Sequence, residues 1–225
     1  MAPFSLPADT AFPSDKAAVL PAPLPTPSHG PGGSFTIASS TRINAPPSKC
    51  LDIVRNAADY PSWNPFCRLV KIDSQPSPPP PSTTTTTTTT TLPPDHLHLG
   101  TVFTFDVHFN PSPDSKPSTR SQERVSVLED ITDPSSKKVI GHRIGWVQIG
   151  PQPDWMLRCE RIQEFVQVEA PDGKEGVTTT EYRNWETFYG AVAVVVRLAA
   201  GEGVRRGFEG WMGGLKKKAE EGGGN

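Results

Sequence analysis

Residues 204–219 read VRRGFEGWMGGLKKKA, and this stretch decides the fold. Val204, Phe208, Trp211, Met212, Leu215 and Ala219 follow one another in steps of 4, 3, 1, 3 and 4, a helical stripe with Arg205, Glu209, Lys216 and Glu220 off it. Six glycines, at 201, 203, 207, 210, 213 and 214, each cost such a helix up to about 1 kcal/mol. Propensity alone therefore does not hold it, and its wide aromatic face must lie on something.

The chain upstream supplies the partner. Residues 102–109, VFTFDVHF, alternate with the period of a half-buried strand, placing Phe103, Phe105, Val107 and Phe109 on one face. Strand-like runs are predicted over 34–43, 67–73, 99–109, 120–131, 139–149, 155–169 and 176–188. Links rich in Pro, Asp, Ser and Gly join most of them, which implies an antiparallel meander rather than βαβ units. After the first strand, Pro46-Pro47 starts a short helix over 48–58, with Cys50, Leu51, Val54 and Ala58 at helical spacing. The next segment, Asp59-Tyr60-Pro61-Ser62-Trp63-Asn64-Pro65-Phe66, is interrupted by two prolines and reads as a turn or broken helix.

The order of strand, short helices, six-strand meander and long terminal helix resembles the helix-grip fold of the START-like (SRPBCC) superfamily, which includes polyketide cyclases and coenzyme-Q-binding proteins. Three segments carry the resemblance: residues 59–66, Trp185-Glu186-Thr187-Phe188-Tyr189-Gly190 closing the last strand, and Gly207-Phe208-Glu209-Gly210 with Leu215-Lys216 in the terminal helix. It implies an α+β protein in which a seven-stranded curved antiparallel sheet wraps the C-terminal helix, enclosing an apolar cavity. The expected organisation is a disordered Pro-rich leader over 1–33, a single domain over 34–221 with a disordered Pro/Thr-rich insertion at 74–95, and a disordered tail at 222–225.

Charge and cysteines narrow the function. Lys+Arg 22 against Asp+Glu 24 gives a net charge of −2, which argues against nucleic acid as a partner. Lys216-Lys217-Lys218 suits a helix C-terminus. Cys50, Cys67 and Cys159 have no paired spacing for a disulfide framework or zinc site, and a reducing cytoplasm fits them. The N-terminus lacks an apolar signal core, and the longest apolar run, 191–196, is too short for a transmembrane segment. His96, His98 and His108 lack completing ligands, so neither a metal nor a cofactor is expected.

The resemblance places Trp63 and Phe66 at the cavity mouth, as a gate or as a plug of the core. Asn64 either addresses ligand or closes a local turn. The walls are expected to include Phe103, Phe105, Val107, Ile144, Trp146, Phe188, Phe208, Trp211 and Leu215. Tyr182, Asn184 and Glu186 share a parity with Phe188 and, if inward, form a polar strip. His142 shares the parity of Ile144 and Trp146. His142 and Glu186 are thus the candidates for proton transfer, with Glu186 otherwise pairing with Arg161 or Arg158. The expected function is binding of a hydrophobic or aromatic small molecule, such as a polyketide, isoprenoid or lipid-like metabolite. A cofactor-independent cyclase or dehydratase is the alternative, and a Pro-rich interaction adaptor using residues 1–33 and 74–81 is the third reading.

Overall fold

The computed structural model describes residues 4–6, 10–77, 93–110, 112, 114–169 and 178–221. Eight strands form one antiparallel sheet: β1 (Ala17–Val19), β2 (Phe35–Ile43), β3 (Cys67–Ser74), β4 (Val102–Val107), β5 (Thr119–Thr132), β6 (Val139–Ile149), β7 (Arg158–Val168) and β8 (Thr179–Tyr189). Their order across the sheet is β1-β2-β8-β7-β6-β5-β4-β3. The helices are α1 (Pro47–Arg55), α2 (Tyr60–Trp63), which follows a 3₁₀ turn at Ala57–Asp59, and α3 (Ala193–Glu220). None among the described residues is long and apolar enough to cross a membrane.

The sheet has eight strands rather than seven because β1 lies within the leader. Three residues are too few to show a period, and the eight prolines of residues 1–33 mask the strand. Proline cannot donate to a ladder, but its fixed φ lowers the entropic cost of laying down an extended chain. That is how the described part of the leader behaves. Leu20 N–H donates to Thr36 O, and Phe4, Leu6, Phe12, Leu20 and Leu24 pack on Ala38, Val127, Ile162 and Trp185, on the sheet face turned away from α3. A polar latch reinforces this strap: the Ser28 backbone N–H and hydroxyl and the Ser126 hydroxyl all donate to the fully buried Glu160 carboxylate. The leader is therefore a structural layer, and its described prolines are not free linker. Residues 78–92 of the Pro/Thr insertion and the tail 222–225 lie outside the described residues.

Strand β5 serves both faces through a bulge. Val125 pairs with Trp146 and Val127 with Gly145, so one residue is inserted at Ser126. Val125 consequently faces the α3 side, while Val127 joins the core under the strap.

Helix α3 begins eleven residues before the stripe that reveals it, at Ala193. Two of its glycines are explained by the 59–66 segment. A Cβ on Gly207 would stand 2.2 Å from the Phe66 ring, and one on Gly214 would stand 2.0 Å from the Trp63 carbonyl oxygen. Those two positions admit the loop against bare backbone. The lost helix propensity is thus exchanged for close packing, and Trp211 meets Tyr60, Trp63, Phe105 and Trp146 with ring centroids 5.4–6.0 Å apart.

Candidate functional site

Beyond that aromatic cluster, toward the start of α3, the interior opens into a hollow of about 180 Å³. Phe66 closes it from the loop, Phe105 and Val107 from β4, Trp146 from β6, Phe188 from β8, and Val196 and Val204 from α3. One wall is polar, formed by Ser121, Glu123, Gln148, Cys159, Arg161 and Glu186.

The sequence-derived residues divide between this hollow and its packed surroundings. Phe66, Phe105, Val107, Trp146, Glu186 and Phe188 line it. Trp63, Phe103, Ile144, Tyr182, Trp211 and Leu215 belong to the solid core beside it, and Phe208 to the cluster around Phe188. Asn64 closes a local turn, its Oδ1 accepting from Phe66 N–H at 3.0 Å and Cys67 N–H at 2.8 Å. The β8 parity is settled: Tyr182 donates to Gln163 Oε1 at 2.6 Å, and Asn184 accepts from Arg161 Nε, both buried on the α3 side, while Trp185 lies under the strap.

His142 is the clear misplacement. It shares its parity with Trp146 but sits four residues away, at the far end of β6. There it pairs with Asp130, Nδ1 to Oδ1 at 2.8 Å, in an open groove bordered by Leu51, Asp52 and Arg55 of α1. It lines that groove and not the hollow. Parity fixes a face, not a position along the strand.

Arg161 is the residue that strand parity undervalued. It faces Trp146 on one side and Glu186 on the other in the sheet register. Its guanidinium lies between the rings of Phe208 and Trp211, 4.3 and 4.1 Å from their centroids, and the residue is only 4% exposed. Nε donates to the neutral Asn184 Oδ1 at 3.0 Å, and Nη2 is buried with no partner. The expected ion pair with Glu186 is not made, and no carboxylate among the described residues is within 4.0 Å of this guanidinium.

Glu123 was likewise overlooked, because a carboxylate in an alternating strand reads as its solvent face. It lies on the same side as Val125, 7% exposed. Burial pushes its carboxyl up to about 8, opposed by the Ser121 hydroxyl, which donates to it at 2.6 Å; neighbouring Glu186 raises it further, and Arg161 opposes. Burial raises Glu186 as well, against the pull of Arg161. Gln148 Nε2 donates to Ser121 Oγ at 3.2 Å and Gln148 Oε1 accepts from Cys159 Sγ at 3.7 Å, so one chain of hydrogen bonds runs along the wall to Glu123. At neutral pH this wall holds a protonated carboxyl and a guanidinium, a donor set suited to ligand oxygens.

No family model matches the chain. It is 30% identical over 170 residues to the oxopyrrolidines biosynthesis cluster protein O of Penicillium oxalicum, covering 74% of this chain and 77% of the relative. Among solved structures it is similar to the hypothetical protein jhp0584 of Helicobacter pylori, with a TM-score of 0.54, 12% identity, and coverage of 81% of this chain and 86% of that one. The Zhui aromatase/cyclase of Streptomyces sp. R1128 aligns with a TM-score of 0.44 and 13% identity over 84% of this chain and 98% of that one.

Proposed function

Because the chain belongs to the START-like helix-grip superfamily, in one family with the oxopyrrolidine cluster protein of Penicillium oxalicum, we propose that it binds a small apolar or aromatic molecule bearing oxygen functions in the hollow under α3. The observation that carries this reading is the lining of the hollow: aromatic rings and aliphatic side chains opposite a single polar wall. The size of the hollow bears on the ligand. A dry engineered cavity of about 150 Å³ holds one benzene, so 180 Å³ accommodates one ring. An oxopyrrolidine ring, the word in the relative's name, is of that size.

Magnitudes decide where the selectivity lies. A ring hiding roughly 120 Å² of apolar surface gains about 3 kcal/mol, which alone leaves binding weaker than about 1 mM. The polar wall must therefore supply orientation and most of the remaining affinity.

Trp146 lines the hollow, so occupancy should perturb tryptophan emission. Phenol titrated into the full chain should quench or shift that emission saturably, and Val204→Phe, which fills the space from α3, should abolish the response while leaving the circular dichroism unchanged. Saturable binding that survives Val204→Phe would place the ligand elsewhere.

A second reading rests on Glu123. A carboxyl raised to about 8, connected to Ser121 and Gln148, keeps an ionised fraction at pH 7 that can take the proton from the carbon beside a ring carbonyl and return it. If it does, the protein should accelerate deuterium uptake next to the carbonyl of a cyclic ketone, and Glu123→Gln should slow it about 10²-fold.

A further inference from the structure

The Arg161 guanidinium is buried, and among the described residues no counter-ion stands within 4.0 Å of it. Buried charges are ordinarily paired, because an isolated ion in a medium of low polarisability is strongly disfavoured. Arg143, equally buried, shows the ordinary solution, holding Glu129 and Glu164. Arg161 is held as firmly, but by groups that carry no charge. Two aromatic faces fix the plane, Asn184 takes Nε, and Nη2 is left over. The two carboxyls that share its wall stand outside ion-pairing distance. Such an arrangement is complete only when something else brings the negative charge.

Resting on the binding reading above, we propose that the hollow takes its ligand as an anion, a small ring carrying a carboxylate or the enolate of a 1,3-dicarbonyl, with Arg161 as the counter-ion that selects it. The shared chemistry is one delocalised negative charge carried on oxygen, which a guanidinium edge meets with charge-assisted N–H donors: two in parallel for a carboxylate, one for a ring enolate oxygen. The aromatic faces on either side leave that edge as the guanidinium's approach for ligand. Neutral aromatics of the same size fill the space but leave the cation unpaired.

The test compares isosteres on the unaltered full chain at pH 7. Benzoate, benzamide and cyclohexane-1,3-dione are titrated by tryptophan fluorescence and by calorimetry. Benzoate and the dione, which is ionised at this pH, are expected to bind at least about tenfold more tightly than benzamide, the scale of a charge-assisted pair. Arg161→Gln should erase that preference. Because this variant can also loosen the core, its folding is checked by its unfolding transition, and the wild-type comparison stands without it. If benzamide and phenol bind as well as benzoate does, the anion inference fails while the binding reading survives. If none of the four saturates, both fail. If benzoate alone binds and the dione does not, the carboxylate is the source of the charge; if the dione alone binds, the enolate is.

Discussion

Adjacent glycines on α3 give a sharp test of how the terminal helix is seated. A Cβ on Gly213 would meet nothing within 4 Å, whereas one on Gly214 would stand 2.0 Å from the Trp63 carbonyl oxygen and 3.1 Å from its carbon. In a helix interior Gly→Ala gains about 1 kcal/mol. Gly213→Ala should therefore stabilise by about that amount. Gly214→Ala starts with the same gain, but a contact that close to backbone requires helix or loop to move by about 1 Å. The loop resists, because Asn64 fixes it with two buried hydrogen bonds. Overpacking of this kind costs about 1–3 kcal/mol, and a clash with main chain belongs at the upper end. The expected difference between the two variants is thus about 3 kcal/mol, or about 6–12 °C in Tm for a domain of this size. Urea unfolding followed by tryptophan fluorescence measures it directly. Equal stabilities within about 0.5 kcal/mol, or a stabilised Gly214→Ala, would refute the close approach of α3 to the 59–66 loop.

Three further outcomes follow from the same contacts. Asn64→Ala leaves two buried N–H groups without an acceptor and should cost about 1–3 kcal/mol in urea unfolding. A chain beginning at Ser34 uncovers Ala38, Val127, Ile162 and Trp185 and should bind a hydrophobic dye and associate in size-exclusion chromatography; a monomeric truncation of undiminished stability would contradict the strap. The third concerns pH. Glu123 titrates near 8 when folded and near 4.5 when unfolded, so its contribution to stability is complete below pH 4.5, falls by at most about 1.4 kcal/mol per unit above it, and is gone once pH has passed 8. Glu123→Gln should flatten the stability profile over that window, and an unchanged slope would mean that the carboxyl is solvated.

The strands and the terminal helix were legible because their apolar residues recur with periods that survive substitution: Phe103, Phe105 and Val107 at two, Phe208, Trp211 and Leu215 at helical steps. What escaped was of two kinds. Residues 10–33 act through isolated side chains such as Phe12 and Leu24 laid on a ready-made face, and this leaves no period to detect. Glu123 and Arg161 escaped because in a half-buried strand a charged residue signals water, unless the far side of the sheet encloses a space of its own. His142 shows the converse limit, since a correct face says nothing of which end of the strand reaches the site. The bulge at Ser126 is invisible to alternation, because it resets the very phase that alternation measures.

The seating of α3 on bare glycine also bears on how such a protein could change its specificity. Where Gly207 and Gly214 touch the loop, the spacing is set by main-chain atoms and a ring edge, which offer no rotamer to adjust. Val196, Val204 and, from the loop before β7, Leu157 present side chains to the hollow from outside the sheet, and these can lengthen or shorten without disturbing that joint. Relatives that accommodate bulkier or slimmer guests are expected to differ at those three places first, while the glycine ladder stays as it is.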